Sequence, residues 1–167
     1  IGKWKKIVPL IYIPVIVLVF FLFIRPAETP LPENTVLLYQ DDTPYSHVRV
    51  LDKVNDDKAE ERMLIMDGLV HNRHQPGDPD TLLYDYEKIF RSLTAEFAEG
   101  SGDLRVLTIV GGAMTFPDYL RRHYNPRVNQ VVEIDGDVVE IAQEYFNINS
   151  GKMEIIISDG RGFIRSL

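Results

Sequence analysis

The 167-residue sequence contains no cysteine. That absence excludes disulfides, thiolate metal sites and cysteine nucleophiles, and it suits a reducing compartment. Acid is missing from the first 25 residues, which carry Lys3, Lys5, Lys6 and Arg25. Those four cations leave −11 on the remainder of a chain whose net charge is −7. A folded part this acidic is a poor partner for nucleic acid, whose binding rests on phosphate neutralisation. A small neutral or cationic partner is electrostatically easier. Charge of either sign is absent from Ile7 to Ile24, an 18-residue run between a basic flank and Arg25-Pro26. At about 1.5 Å per residue it spans roughly 27 Å, enough for a transmembrane helix, with Pro14 accommodated as a kink. The run exceeds the apolar core of a signal peptide, and no small-x-small cleavage site follows it. Residues 1–25 are therefore expected to be a membrane anchor with a basic flank. Lysines before the span favour a cytoplasmic amino end, which would put the folded part outside if the span is single. Nucleotide-type ligands are an intracellular resource, so the domain is expected on the cytoplasmic side, with the sidedness left open.

What is present is a stretch around which the rest is organised, Leu104 to Asp135. Leu104, Val106, Leu107, Ile109 and Val110 form an apolar run too short for a helix, closed by Gly111-Gly112. Such a run suits a parallel strand covered on both faces. Thr115 can cap the next helix, and Pro117 falls in its first turn, where a missing N–H costs little. Val128, Val131, Val132 and Ile134 build a second strand that delivers Glu133 and Asp135 to its carboxyl end. This is a βαβ unit, and ligands of such sheets bind beyond the carboxyl ends of the strands. Glu133 lies 22 residues after Gly111, a spacing that places a carboxylate for ribose hydroxyls. The turn lacks the third glycine of the dinucleotide fingerprint, so an ordinary α/β packing unit with a solvated Glu133 is the competing reading.

Around this unit the chain divides readily. Residues 26–34 are a proline-rich linker. Residues 35–79 read as a small antiparallel β-domain, with strands at Thr35–Gln40, His47–Leu51 and Arg62–Met66, and a hairpin turn at Asp67-Gly68. His71 and His74 follow as loop histidines, with no nearby acid to complete a metal site. Residues 80–102 are a connecting helix and link. The helix is expected to open at Asp78-Pro79-Asp80, and Leu82, Tyr86, Ile89, Phe90, Leu93 and Phe97 make one face core. Residues 103–167 are the first half of a Rossmann-like domain. Its second helix starts at Asp137, and a third strand, Glu154 to Ser158, ends in Asp159-Gly160-Arg161. In a doubly wound order that strand is expected near the first, so Asp159 emerges beside the same crevice. There it serves either an adenine amino group or the next helix as N-cap. Three strands leave a sheet edge unpaired, so the sequence reads as a fragment, with any fourth-strand catalytic group beyond Leu167.

With these residues assembled, the chain resembles the spermidine synthase (polyamine aminopropyltransferase) family over roughly residues 36–167. The resemblance rests on MDG at Met66–Gly68, the helix segment with Glu87, VGG at Val110–Gly112, VEID at Val132–Asp135 and DGR at Asp159–Arg161. GGAMTFPDYL and YDYE look more like a membrane-linked branch of that family. The fold implied is α/β: a Rossmann-like, S-adenosylmethionine-methyltransferase-like parallel sheet, truncated at its carboxyl end, preceded by a small antiparallel sheet and a transmembrane helix. The family binds decarboxylated S-adenosylmethionine, moves its aminopropyl group to an amine without a metal, and usually forms dimers or tetramers, so a homodimer is one expectation. Gly111, Gly112, Glu133, Asp135, Asp159 and Gly160 are the implied donor-binding residues. The substrate-side positions are Ser46, His71, Tyr86, Glu87 and Ala113, and they depart from the family pattern. Ser46 and His71 stand in place of glutamines. Asp85-Tyr86-Glu87 stands in place of a tyrosine-histidine-glutamate segment. Ala113 stands in place of an aspartate that contacts the donor's amine.

An acid near a protonated amine supports binding through charge-assisted hydrogen bonds, and its loss removes on the order of 1.5–3 kcal/mol. A site without it is less hostile to intact S-adenosylmethionine. The leading expectation is therefore a membrane-anchored transferase with an S-adenosylmethionine-type donor and a small amine or other acceptor. The alternatives are a methyltransferase of unknown substrate, a non-catalytic nucleoside-binding domain on a membrane protein, or the tail of a transporter.

Overall fold

The computed structural model describes residues 30–56, 58–100 and 103–167. The expected membrane segment, residues 7–24, lies outside the described residues. Among the described residues no helix is long and apolar enough to cross a membrane. Residues 32–167 make one compact unit.

The chain first lays down four antiparallel strands in sequential order: β1 (Thr35–Asp42), β2 (His47–Asn55), β3 (Lys58–Met66) and β4 (Leu69–His74). Hairpin connections explain that order, because short turns pair neighbours. The Asp67-Gly68 turn has both residues at positive φ, 49° and 83°, as a two-residue hairpin of this kind requires. β4 corrects the expectation of a loop at His71 and His74, both of which lie on this edge strand. β2, second in the sheet, is buried at polar positions too. Asp52, 6% exposed, accepts from Nε and Nη2 of Arg62 at 2.7 and 2.8 Å.

The connecting helix α1 spans Asp85–Gly100, so Asp78-Pro79-Asp80 does not open it. Asp78 instead closes a turn, its carboxylate accepting from the Thr81 hydroxyl at 2.6 Å. The apolar stripe of α1 is also not core. Ile89, Phe90, Leu93 and Phe97 are 49–70% exposed. The periodicity is real, but among the described residues little covers it.

The parallel sheet runs β5 (Arg105–Ile109), β6 (Val128–Glu133), β7 (Glu154–Ile157) in that spatial order. Helix α2 (Thr115–Tyr124) joins the first pair, and α3 (Gly136–Tyr145) followed by a 3-10 turn joins the second. The strand expected near the first, β7, lies one place removed from β5, with β6 between them. Central β6 is the best covered, and β5 and β7 are edges. One apolar core spans both sheets: Val48, Val50 and Leu64 of the antiparallel sheet pack with Met114, Val131, Val138 and Ile141. Short α4 (Gly160–Ser166) follows β7.

Candidate functional site: the carboxyl ends of the parallel strands

The three strand tips lie level with one another. Val110 N–H donates to Val132 O at 2.8 Å, and Ser158 N–H donates to Glu133 O at 2.9 Å. These bonds carry the ladder one residue past β5 and β7, so the glycine turn, Glu133 and the Asp159 turn leave the sheet side by side. Two glycines are required by close approach. A Cβ on Gly111 would lie 2.6 Å from Val131 Cγ1, and one on Gly160 would lie 2.5 Å from Ile109 Cγ2. The second contact brings the start of α4 back to β5, although its strand is not β5's neighbour. The six expected donor-binding residues therefore share one end of the sheet.

Their environments differ. Glu133 is 3% exposed. Its Oε1 accepts from the backbone N–H groups of Ile134 and Asp135 at 2.8 and 3.2 Å, which fixes the carboxylate, and Oε2 has no partner among the described residues. Asp135 is 1% exposed with both oxygens engaged. One caps α3 through Asp137 N–H at 3.1 Å, and the other accepts from the Thr43 hydroxyl at 2.6 Å. Asp159 is exposed and caps α4 through Gly162 N–H at 2.7 Å, leaving its second oxygen to solvent. Both roles foreseen for Asp159 thus remain compatible. Gly112 has φ 49°, where glycine is at ease.

The substrate-side candidates scatter. Thr43 also accepts from Ser46 N–H at 3.0 Å, so its bond to Asp135 draws Ser46 toward the β6 tip. There the Ser46 hydroxyl is enclosed without a partner among the described residues. Glu87 is 2% exposed at the start of α1, its Oε2 accepting from Tyr84 N–H at 3.2 Å. Burial is the main force that raises its carboxyl above the usual range, against the backbone bond and Lys88. Tyr86 is half exposed, stacked on Tyr84 at 5.1 Å and edge-on to Phe90. Phe90 in turn meets Phe116, which ties α1 to the first turn of α2 just past the glycine turn. His71 is exposed and has no partner across the ladder, where Leu64 pairs with Asn72 and Ile65 with Val70. Such a bulge turns a side chain out of register. Ala113 is fully buried in the core beside Met114.

Two further residues build the site and were not foreseen. Thr43 locks the first sheet to the acid strand. Asn72, 6% exposed, donates its Nδ2 to the Thr115 hydroxyl at 2.7 Å. Thr115 is therefore the first helical residue with its hydroxyl spoken for, and it is not the N-cap expected of it; Met114 holds that position without a side-chain bond. Pro117 does fall in the first turn. Among the described residues no cluster of three or more histidines and acids could hold a metal ion.

No protein-family model matches this chain, and no curated protein matches it. Its fold is similar to solved spermidine synthases. A probable spermidine synthase from Corynebacterium glutamicum matches with a TM-score of 0.66 at 22% identity, over 83% of this chain and 48% of that one. A spermidine synthase in complex with the transition state analogue AdoDATO matches with a TM-score of 0.59 at 18% identity, over 78% of this chain and 43% of that one. The Thermotoga maritima spermidine synthase matches with a TM-score of 0.52 at 20% identity and the same coverage. The likeness establishes the fold: an antiparallel sheet followed by part of a Rossmann-like sheet. This chain spans less than half the length of each.

Proposed function

We propose that residues 32–167 carry the donor-binding part of a spermidine-synthase-like transferase, whose donor is an S-adenosylmethionine-type sulfonium nucleoside. One observation carries the reading: the buried Glu133, fixed by two backbone N–H groups through one oxygen, keeps the other without a partner among the described residues, at a strand tip beside a glycine turn. That is the geometry a pair of ribose hydroxyls needs from a carboxylate. A neighbour of the same fold holding AdoDATO supports the donor class. Asp159 and Gly160 are assigned to the adenine side, Gly111 and Gly112 to the close approach of the ligand's backbone-facing edge. Asp135 is assigned a positioning role, because both of its oxygens are already used.

In aminopropyl transfer an unprotonated acceptor amine attacks the carbon beside the sulfonium. The new C–N bond forms as the C–S bond breaks, the thioether leaves with the electron pair, and the amine then sheds a proton. Such a step needs orientation more than elaborate acid–base groups. A second reading, methyl transfer from intact S-adenosylmethionine, is favoured by Ala113. No acid can reach a donor amine from a fully buried alanine. Residues 7–24 are assigned to membrane anchoring, with the folded part on the cytoplasmic side.

Calorimetry of the full-length protein with both donors tests the proposal. Tighter binding of the decarboxylated donor would favour aminopropyl transfer, and tighter binding of the intact one methyl transfer. Indifference to both would remove the transferase reading.

A further inference from the structure

Seven residues other than glycine have positive φ among the described residues. Five are Asn or Asp, whose short polar side chains tolerate the left-handed region. The other two, Val110 at φ 63° and Met114 at φ 56°, flank the glycine turn. Met114 is compensated by burial: it is 0% exposed and packs in the core. Val110 is not. A β-branched residue is the least suited to this region, yet it is held there by its backbone bond to Val132 and leaves its side chain 67% exposed. Among the described residues, little covers this strained, exposed apolar residue between a strand tip and the glycine turn. Strain of this kind persists where it serves a site.

We propose that Val110 is a donor-contact residue: its outward-turned isopropyl group is an apolar wall of the nucleoside crevice, buried only when an adenosyl ligand is bound. The inference rests on the donor-binding reading above and adds a residue to it. The ligand chemistry it requires is a hydrocarbon surface next to a hydroxylated sugar, as an adenosyl sulfonium or thioether offers. The polar contacts come from Glu133 on the neighbouring tip.

The test uses the full-length protein with Val110→Gly and Val110→Ala, measured by thermal unfolding without ligand and by calorimetry with S-adenosylmethionine and its decarboxylated form. Val110→Gly relieves the left-handed conformation, so Tm should rise by a few degrees, on the order of 2–4 °C. It also removes the wall, so affinity for the better donor should fall about tenfold, the weight of burying one valine side chain. Val110→Ala retains the backbone strain and should lose most of that affinity with little change in Tm. Opposite signs in the two readouts separate a contact residue from a structural one, which would move stability alone. Unchanged affinity in both variants, with the wild type binding, would overturn this inference and leave the donor-binding reading standing. A Tm that does not rise in Val110→Gly would remove the strain on which it is built. A wild type that binds neither donor would overturn both.

Discussion

The tips of β6 and β7 each end in acid, and they are built in opposite ways. On β6, Glu133 and Asp135 are both nearly inaccessible, and three of their four oxygens are engaged by backbone or by Thr43. On β7, Asp159 stands in solvent, tied down by a single cap bond. A buried carboxylate is costly unless hydrogen-bonded, so the β6 pair must be held. The one oxygen left over on Glu133 is therefore the meaningful one. An exposed aspartate capping a helix is common and implies no ligand. On the donor-binding reading proposed above, sugar recognition is preorganised on β6, whereas base recognition on β7 is at most an added duty of a cap.

The sharpest way to break that comparison is Glu133→Ala. Donor affinity is expected to fall at least about tenfold, the weight of charge-assisted hydrogen bonds. Tm should also fall, because two backbone N–H groups lose their acceptor in a buried setting. Glu133→Gln separates the two effects by keeping an acceptor oxygen while removing the charge. Calorimetry and thermal unfolding of both variants check this, and unchanged affinity in Glu133→Ala would refute the ribose role.

Next in size is the lock between the sheets. Thr43→Val should cost about 1 kcal/mol of stability, and Asp135→Asn a comparable amount. The double variant should cost less than the two singles combined, since both break one bond. Additive losses in denaturant unfolding would show that Thr43 and Asp135 act independently. Smaller again is Asp159→Ala, expected to lower stability by about 1 kcal/mol through the lost cap and donor affinity by about threefold. A loss of affinity as large as that of Glu133→Ala would overturn the ranking of the two tips.

How much of this was legible in the sequence follows from which signals are local. The β5–α2–β6 unit was readable because an apolar run, a glycine pair and a proline all sit where strand, turn and helix start demand them. The ends of β6 and β7 came with it, since their acids interrupt apolar runs. Strand β4 was missed because Leu-Val-His-Asn-Arg-His is an edge strand with Leu69 and Val70 exposed, so no alternation marked it. The start of α1 was misplaced because Asp78-Pro79 mimics a helix opening, whereas the buried Glu87 holding Tyr84 N–H marks the true one. The α1 periodicity announced a face without saying what would cover it. Nothing local told that Ala113 faces the core, that Thr43 reaches across 92 residues to Asp135, or that Val110 and Met114 adopt glycine-like dihedrals. Those are tertiary facts carried by residue types that do not advertise them.

The smallest expected effect concerns pH, and it guards the comparison against a false positive. Acidification should destabilise the fold through a distant histidine, and a loss of donor binding that follows from unfolding is no property of the strand tips. Burial, with Arg62 on β3 and Arg122 on α2 adding to it, holds His74 below its ordinary value against the opposing pull of Asp118 and Asp78. A base whose folded pKa is depressed supplies stability above its unfolded value, about 6.5, and loses it as pH falls through the lower folded value. Stability should therefore drop on the acid side of neutrality. Glu87 works in the opposite sense: its raised pKa means stability present at low pH is lost as pH rises through the folded value. A single unfolding curve mixes the two. The difference between wild type and His74→Gln, measured across the acid side of neutrality, cancels Glu87 and isolates the histidine. That difference should narrow as pH falls, and a constant gap would mean that His74 does not titrate in this window.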